Sequence, residues 1–408
     1  SFNSFLPKGL SKKISEKIVN AWLKRLEKFQ HLHDKIEFEI ITSEFTFNFD
    51  EKIQSTIPNV LSENELNEFR KHIKKLTKDL ILNKKASISD QLEKIKILER
   101  KNEKINSLKN YDLNILVSLL EDCKIYGTLP FSILARHGFI AQSILKSLVS
   151  KKIISVTEYE NFLNNIKTVA GEIIEDTKKI KENSFFYKKF IKRYGHLRPG
   201  TYNILSKRYD ELGTTFFKNK KQLERKNPKK FRFNKNTLTK IQKKLNEIKF
   251  EMTPDYLLSY CSDAIKAREY AKFVFTKNIS DALKCIQKFG ITLGMKPEEL
   301  SHIPVTEFFS ILNESYEGDL KKFLLSKSKF QSEKHSITSS LHLPHLICNK
   351  KDISVIPLII NRPNFITRKI ISGRIVILND NNKKIPNVEN KIVVSESADP
   401  GYDWDFFA

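Results

Sequence analysis

The chain has 408 residues, of which 40% are hydrophobic and 29% are charged. This apolar content excludes a wholly disordered chain, and the charged content excludes a bundle of membrane-spanning helices. Seventy-two Lys and Arg residues against 48 Asp and Glu residues give a formal net charge of +24, which is compatible with a nucleic acid, an acidic membrane or an anionic substrate as partner. The four cysteines stand far apart without C-x-x-C spacing, so we expect a cytoplasmic protein without structural disulfides.

The surplus lysines are spread along the whole chain among many isoleucines and asparagines. A compositional bias of the coding sequence therefore explains the net charge more simply than a dedicated basic surface. No stretch of about 18 uninterrupted apolar residues occurs, and no apolar segment follows a basic start at the N-terminus, so neither membrane insertion nor secretion is predicted.

The first 60 residues combine a helical and an extended pattern. Residues 11–30 carry apolar side chains at spacings of three and four, which predicts an amphipathic helix. Residues 35–49 alternate between apolar and polar side chains, which predicts a strand. The residues that carry the two patterns are Ile14, Ile18, Trp22, Leu26 and Phe29, and then Ile36, Phe38, Ile40, Phe45, Phe47 and Phe49.

Helix signals dominate from residue 61 to residue 342. Ser62 with Glu65 and Thr157 with Glu160 have the spacing of capping boxes, and the second box is expected to open a helix that reaches Ile173. Between them, Thr128 and Pro130 predict the start of a central helix that ends near Ser150.

The longest helical pattern begins at Thr253 and Pro254 and runs to Gly290, where a left-handed residue is expected to end it. A kink or a break is expected near residues 276–280. Two shorter helices are predicted to begin at Pro297 and Thr306, and residues 319–330 have a helical pattern as well.

Prolines interrupt the helical pattern after residue 342, and β-branched runs follow at residues 370–378 and 391–395. We therefore expect a mainly α fold with a β-containing C-terminal segment, an α+β chain. We divide the chain into four predicted parts. Residues 1–60 form a helix and an extended segment that joins an upstream module, and residues 61–342 form a helical domain. Residues 343–362 are a connector, and residues 363–408 are the truncated start of a β-containing domain.

The richest cluster of reactive side chains lies at residues 192–202, which read KRYGHLRPGTY. Arg193, His196 and Arg198 lie close together there: Arg193 comes just before Gly195, and the other two lie between Gly195 and the turn pair formed by Pro199 and Gly200. A guanidinium fork and an imidazole in such a loop are suited to a phosphate or a carboxylate. On the residues alone, a helix-connecting loop whose Arg and His side chains cap the carbonyl ends of helices is the favoured interpretation.

Four segments resemble one group of enzymes. RYGHLRPGTYNILSKRYDE at residues 193–211 is similar to a signature of phosphoenolpyruvate synthase-like proteins, relatives of pyruvate phosphate dikinase and the rifampicin phosphotransferases. Three further segments resemble the same group, and they occur in the order expected for it. They are residues 1–7, SFNSFLP; residues 268–283, REYAKFVFTKNISDAL; and residues 363–404, from PNFIT through GRIVIL to KIVVSESADPGYDW.

The resemblance implies a helical region between an ATP-grasp module and a swivelling β/β/α domain, whose histidine carries phosphate from ATP to an acceptor. Residues 363–408 would be the first strands of that domain. The carrier histidine would follow Trp404 outside this chain, so no catalytic residue is expected within it, and ATP and Mg²⁺ would be bound outside it. Arg193, His196 and Arg198 would bind a substrate similar to pyruvate or phosphoenolpyruvate. Thr201 stands where relatives carry an acidic residue, which leaves anion positioning as the predicted role of these three residues.

Two other clusters are weaker candidates. His335, His342, His345 and Cys348 are close enough in sequence to share a metal ion, but Pro344 separates two of the histidines and no acidic ligand is nearby, so no metal site is predicted. Residues 218–235 are strongly basic and contain Phe231 and Phe233, which is typical of a nucleic-acid-binding segment or of a solvated loop, and the solvated loop is favoured.

The main prediction is therefore the central fragment of an ATP-dependent phosphotransferase, inactive by itself. The alternative is a non-catalytic basic helical module that binds RNA or a protein partner.

Overall fold

The computed structural model describes residues 2–107, 113–180, 184–213, 231–313, 318–341, 343–344, 346–353, 370–378, 388 and 390–395. Within these ranges the protein is mainly helical and ends in two paired strands, which confirms the predicted mainly α chain with a β-containing C-terminal segment. The helices are α1 Lys12–Lys28, α2 Phe49–Thr56, α3 Glu63–Ile81, α4 Ile88–Asn106, α5 Asn114–Asp122, α6 Leu129–Ser150, α7 Val156–Asn165, α8 Val169–Ile180, α9 Ser184–Tyr194, α10 Lys235–Glu247, α11 Pro254–Thr292, α12 Pro297–Ser301, α13 Val305–Asn313 and α14 Leu320–Ser339, and the strands are β1 Arg374–Leu378 and β2 Lys391–Ser395.

Local capping signals fix the starts of several helices. Ser11 caps α1, Ser62 and Glu65 form the predicted capping box of α3, and Thr253 caps α11. Each side-chain oxygen accepts a hydrogen bond from a backbone N–H group that has no partner within the first helical turn.

The predicted capping box of Thr157 and Glu160 is wrong. Ser155 caps α7 instead and forms the box with Glu158, because this pair has the same spacing two residues earlier. The helix also ends before Ile166, and a separate helix, α8, contains Ile173.

The predicted strand over residues 35–49 is wrong. Ile36–Ile40 forms a π-helical turn, and α2 already begins at Phe49. Residues 40–46 are all buried, so the segment has no solvent-facing side of the kind that strand alternation implies. Its backbone forms hydrogen bonds with side chains of other elements and not with a neighbouring strand. The Phe45 N–H donates to Thr77 Oγ1 at 2.9 Å, and the Phe47 N–H donates to Ser147 Oγ at 3.3 Å. Arg136 Nη2 donates to the Ser43 carbonyl at 2.9 Å.

Helices α6 and α11 pack along each other at the centre of the helical body. The largest core surrounds them and also contains side chains from α1, α2, α3 and α4, so the first 60 residues share this core with later helices. A second core lies between α5, the C-terminal half of α11 and helices α12 to α14. A third joins α8 and α9 to the segment that follows α9.

Helix α11 differs from its prediction at two points. It passes through residues 276–280 without a break, and it continues past Gly290 to Thr292. The left-handed residue is Gly294, with φ of +65°. Gly290 instead permits close packing, because a Cβ atom there would lie 2.4 Å from Leu300 Cδ1.

The two strands pair in parallel, with Arg374 opposite Lys391 and Leu378 opposite Ser395. Leu378 of β1 and Val388, which precedes β2, are buried with Val376 and Val393 packed against them, whereas Ile375 and Ile377 are exposed. None of the described helices is both long and apolar enough to cross a lipid bilayer.

Candidate functional site

The candidate site is the segment that follows α9, residues 195–211, which we call the α9 loop. Gly195 opens it, and its N–H donates to the Ile191 carbonyl at 2.8 Å. A Cβ atom on Gly195 would lie 2.4 Å from that carbonyl oxygen and 3.2 Å from Asp210 Cβ. Only glycine fits here, because the clash is with backbone that cannot move aside as a side chain does.

The two ends of the α9 loop are bonded to each other. The Tyr209 N–H donates to the Leu197 carbonyl at 2.8 Å, and the Asp210 N–H donates to the Gly195 carbonyl at 3.1 Å. Tyr209 and Leu197 are also buried together in the third core. The loop therefore presents residues 198–208 from a closed base.

Arg198 points into the protein and is 1% exposed. Its Nε donates to Ser280 Oγ at 3.3 Å, its Nη1 to the Asn203 carbonyl at 3.1 Å and its Nη2 to the Ser280 carbonyl at 3.4 Å. Ser280 Oγ in turn donates to the His196 carbonyl at 2.6 Å. Burial, and then the like charge of Arg208, lower the pKa of Arg198 to about 10.

Arg208 anchors the other side of the loop to α11. Its Nη1 donates to Asp281 Oδ1 at 2.7 Å, and its Nε and Nη2 donate to the two carboxylate oxygens of Asp210, each at 3.1 Å. Asp281 Oδ2 accepts from Asn102 at 2.9 Å and from Asn106 at 3.2 Å, both on α4. We call these five residues the Arg208–Asp281 network.

The charges of this network stabilise each other. Burial raises the pKa of Asp281, but the charge and hydrogen bond of Arg208, with the two amides, outweigh burial and hold that pKa below its ordinary value. Burial likewise lowers the pKa of Arg208, and Asp281 and Asp210 raise it by more. Both groups are therefore ionised at neutral pH, and the buried pair ties together the α9 loop, α4 and α11.

His196 is 3% exposed and lies against the ring of Phe273, with ring centroids 4.8 Å apart. Within the described residues, neither ring nitrogen reaches a partner in hydrogen-bond geometry. Burial lowers the pKa of His196 to about 3; Asp281 opposes that shift, while Lys277 and Arg208 add to it. The imidazole is therefore neutral at physiological pH, and a proton or an anion reaches it only if the loop moves.

The structure does not bring Arg193 together with His196 and Arg198. Arg193 is half-exposed on α9 and pairs with Glu172, while its Nη1 lies 3.8 Å from Asp176 Oδ2, both carboxylates belonging to α8. Its neighbour Tyr194 is buried and donates to Asp176 Oδ2 at 3.0 Å. The predicted anion-binding trio is thus divided between a surface ion pair and two buried side chains.

A groove of about 620 Å³ lies beside the α9 loop, and we call it the loop groove. Gly200, Tyr202, Asn203 and Ile204 form its loop side, and mostly apolar residues of α5, α11 and residues 300–308 form the rest. Neither His196 nor Arg198 lines it. The groove suits a ligand with an apolar part, held in place by a few polar groups of the loop.

Sequence reasoning missed the Arg208–Asp281 network. Arg208 and Asp281 lie within two of the four segments on which the predicted resemblance rests, but nothing in their spacing indicates a pair. The available signal was the polar residues Asn278, Ser280 and Asp281 within the longest helical pattern of the chain, since polar groups that become buried require partners.

The other clusters give no site within the described residues. No group of three potential metal ligands occurs there; His342 and His345 lie outside those residues, while His335 packs beside the ring of His302. Of the basic run, residues 218–230 also lie outside. Phe231 and Phe233 contact each other, and Phe233 contacts Phe162 of α7, so these rings pack against the helical body.

The chain was compared with known proteins. No family model matches it, and no curated protein or solved structure matches it either.

Proposed function

We propose that this chain forms the central, mainly helical part of an ATP-dependent phosphotransferase similar to phosphoenolpyruvate synthase. One observation carries the proposal: two of the segments that resemble that group, residues 193–211 and 268–283, are joined in the fold. Arg198 bonds to Ser280, and Arg208 bonds to Asp281. Segments with a joint role in one site are expected to meet in this way.

In the proposed reaction, a phosphoryl group passes from ATP to a histidine outside this chain and then to the oxygen of an acceptor such as pyruvate, which loses a proton. ADP leaves when the γ-phosphoryl group is used; when the β-phosphoryl group is used, AMP leaves and water takes the γ-phosphate as inorganic phosphate. ATP and Mg²⁺ would be held outside this chain. Because one histidine must visit two separate sites, the domain that carries it has to move on a connector. We assign residues 343–362 to that connector, and β1 and β2 to the start of the moving domain.

The α9 loop is the part of this chain that we assign to the acceptor side. The closed base of the loop and the Arg208–Asp281 network hold Gly200 and Asn203 in the wall of the loop groove. Substrate binding by Arg193, His196 and Arg198 remains a prediction, and the contacts of Arg198 favour positioning of the loop. Three of the cysteines are buried and all four are free, which supports the proposed cytoplasmic location.

The experiment uses the full-length protein that contains this chain and ATP labelled at either the β- or the γ-phosphate. We expect label on the protein that acid removes and alkali does not, as for phosphohistidine, and its transfer to pyruvate on chase. The 408-residue chain alone is the matched control and should stay unlabelled. Absence of label on the full-length protein would overturn the proposal, and label on the control would place the carrier histidine within this chain.

A further inference from the structure

One face of α3 is strongly basic. Arg70, Lys71, Lys74, Lys75 and Lys78 follow each other at helical spacings, and Lys84 and Lys249 lie opposite. Together they line a groove of about 490 Å³, which we call the basic groove. Asn67 and Asp79 complete its lining.

The positive charge of the basic groove is only partly balanced. Among the described residues, three of its cations form ion pairs: Arg70 with Asp50, Lys75 with Asp79 and Lys78 with Glu251. Asp79 is the only carboxylate among the residues that line the groove. The cations without an ion pair in the described part of the chain are Lys71, Lys74, Lys84 and Lys249.

Lys74 shows the effect of this crowding. Partial burial lowers its pKa, and the like charges of Lys249 and Lys78 lower it further. Like charges four residues apart on one helix, such as Lys74 and Lys78, also destabilise the helix. A bound anion would offset the repulsion among these like charges, so the groove is suited to a negatively charged ligand.

We propose that the basic groove binds the phosphate chain of a linear polyphosphate, either free or as the 5′-triphosphate of a nucleotide, at a site separate from the ATP site assigned above to the part outside this chain. The cations of α3 extend from Arg70 to Lys78, which at 1.5 Å per residue is about 12 Å. This length suits a short row of phosphates. The described lining contains no aromatic side chain on which a base could stack, which distinguishes it from a site for single-stranded RNA.

The experiment measures binding to the 408-residue chain by calorimetry, with inorganic tripolyphosphate, ATP, AMP and sulfate at equal ionic strength. A single-stranded RNA of 20 nucleotides is the fifth probe. We expect tripolyphosphate and ATP to bind at least about tenfold more tightly than AMP or sulfate, because several charge-assisted contacts form along the phosphate chain. Equal affinities for ATP and tripolyphosphate would indicate that the natural ligand is a free polyphosphate. Tighter binding of ATP would indicate that the natural ligand is a nucleotide.

Two double variants separate the groove from the general charge of +24. Lys71→Glu/Lys84→Glu changes two exposed lysines of the groove. Lys94→Glu/Lys243→Glu changes two exposed lysines outside it and alters the net charge equally. The groove variant should lose about tenfold or more in tripolyphosphate affinity and the control less than about twofold, because screened charges act over about one Debye length. Circular dichroism confirms that both variants are folded.

Three results would overturn the proposal. The first is tripolyphosphate binding no tighter than sulfate, and the second is an equal loss in both double variants, since either would mean attraction by net charge only. The third is binding of the RNA that is tighter than binding of tripolyphosphate and that is lost in the Lys71→Glu/Lys84→Glu variant. That result would replace the polyphosphate with a nucleic acid.

Discussion

Arg208 and Asp281 are 73 residues apart in the sequence, and Nη1 of Arg208 donates to Oδ1 of Asp281 at 2.7 Å. Both side chains are almost completely removed from solvent, with exposed fractions of 7% and 3%. Asn102 and Asn106 of α4 occupy the other oxygen of Asp281. The α9 loop, α4 and α11 are therefore held at one point, and the stability of the loop depends on a buried charge pair.

Removal of one partner of this pair should strongly destabilise the protein. We expect Arg208→Met to lower the free energy of unfolding by about 3–5 kcal/mol, because Asp281 is left as an uncompensated buried charge. Lys284→Met is the control: Lys284 makes a more exposed ion pair with Asp210, and its loss should cost less than about 1 kcal/mol. Urea denaturation measures both variants.

The double variant Arg208→Met/Asp281→Leu tests whether the loss of stability comes from the uncompensated charge of Asp281. It should recover part of the loss, since neither charge is then buried alone. The wild-type contribution of Asp281 should be present above the ordinary pKa of 3.8 and should be lost as the pH falls through the lower pKa of the folded state. Equal stability of the wild type and Arg208→Met would contradict the role of the pair.

His196 should make the free energy of unfolding depend on pH at higher pH values than Asp281 does. Its ordinary pKa of 6.5 falls to about 3 in the folded protein, so between these values the unfolded chain binds a proton that the folded chain does not. Stability should therefore fall as the pH is lowered from about 6.5 towards 3. His196→Phe should reduce this slope by up to about 1.4 kcal/mol per pH unit.

Urea denaturation between pH 4 and pH 6.5 gives the slope for the wild type and His196→Phe. The exposed His31 provides the matched control variant, His31→Phe. An unchanged slope in His196→Phe would show that the folded protein takes up a proton at His196 and that the α9 loop opens more readily than its contacts indicate.

The sequence predicted those parts of the fold that depend on neighbours along the chain. Ser62 with Glu65, and Thr253 with Pro254, marked helix starts because a cap requires only the following turn. The segment around Phe45 was predicted wrongly, since its apolar and polar residues are buried alike and its backbone bonds to distant side chains such as Thr77.

The candidate site, too, could be predicted only where its signals lie close together in the sequence. The loop near Arg198 was found because Gly195 and the Pro199–Gly200 pair mark turns in the sequence itself. That Arg198 points inward to Ser280 depends on how α11 packs, and that Arg208 meets Asp281 depends on closure of the loop. Neither relationship has a local signal.

Arg198→Ala should reduce stability more than Arg193→Ala. Arg198 is buried and bonded to two backbone carbonyls, so its loss leaves acceptors unsatisfied at about 1–3 kcal/mol each. Arg193 is half-exposed, and its loss should cost less than about 1 kcal/mol. Thermal unfolding measures the stability of both variants, and phosphate transfer in the full-length protein measures their function. Lost transfer with normal stability in Arg198→Ala would instead assign the guanidinium to the substrate.

The amides of β1 and β2 should exchange with solvent faster than those of α11. Among the residues that the structure describes, Leu378 and Val388 are the only buried side chains of the core beside this strand pair, and an isolated strand pair is marginally stable. Helix α11 is surrounded by the two largest cores. Hydrogen exchange followed by mass spectrometry compares the segments. Equal protection of residues 374–378 and α11 in a monomer would mean that the exposed faces of Ile375 and Ile377 are covered within this chain.

Gly290 and Leu300 should be energetically coupled. A Cβ atom at Gly290 would lie 2.4 Å from Leu300 Cδ1 and 2.8 Å from Leu300 Cδ2, inside a core in which Leu300 is 3% exposed. Gly290→Ala should therefore destabilise by about 1–3 kcal/mol through overpacking, although alanine is the better helix former. Leu300→Ala alone should cost about 2–5 kcal/mol by leaving a cavity.

The double variant Gly290→Ala/Leu300→Ala decides whether the contact is the cause. With the leucine truncated, the new methyl group has space, so the alanine at position 290 should become neutral or stabilising. The double-mutant cycle should give a coupling energy of about 1–3 kcal/mol, which is typical of residues in contact. Additive losses would mean that Gly290 is required by the helix backbone and not by Leu300, and that α12 packs less closely on α11 than the 2.4 Å approach indicates.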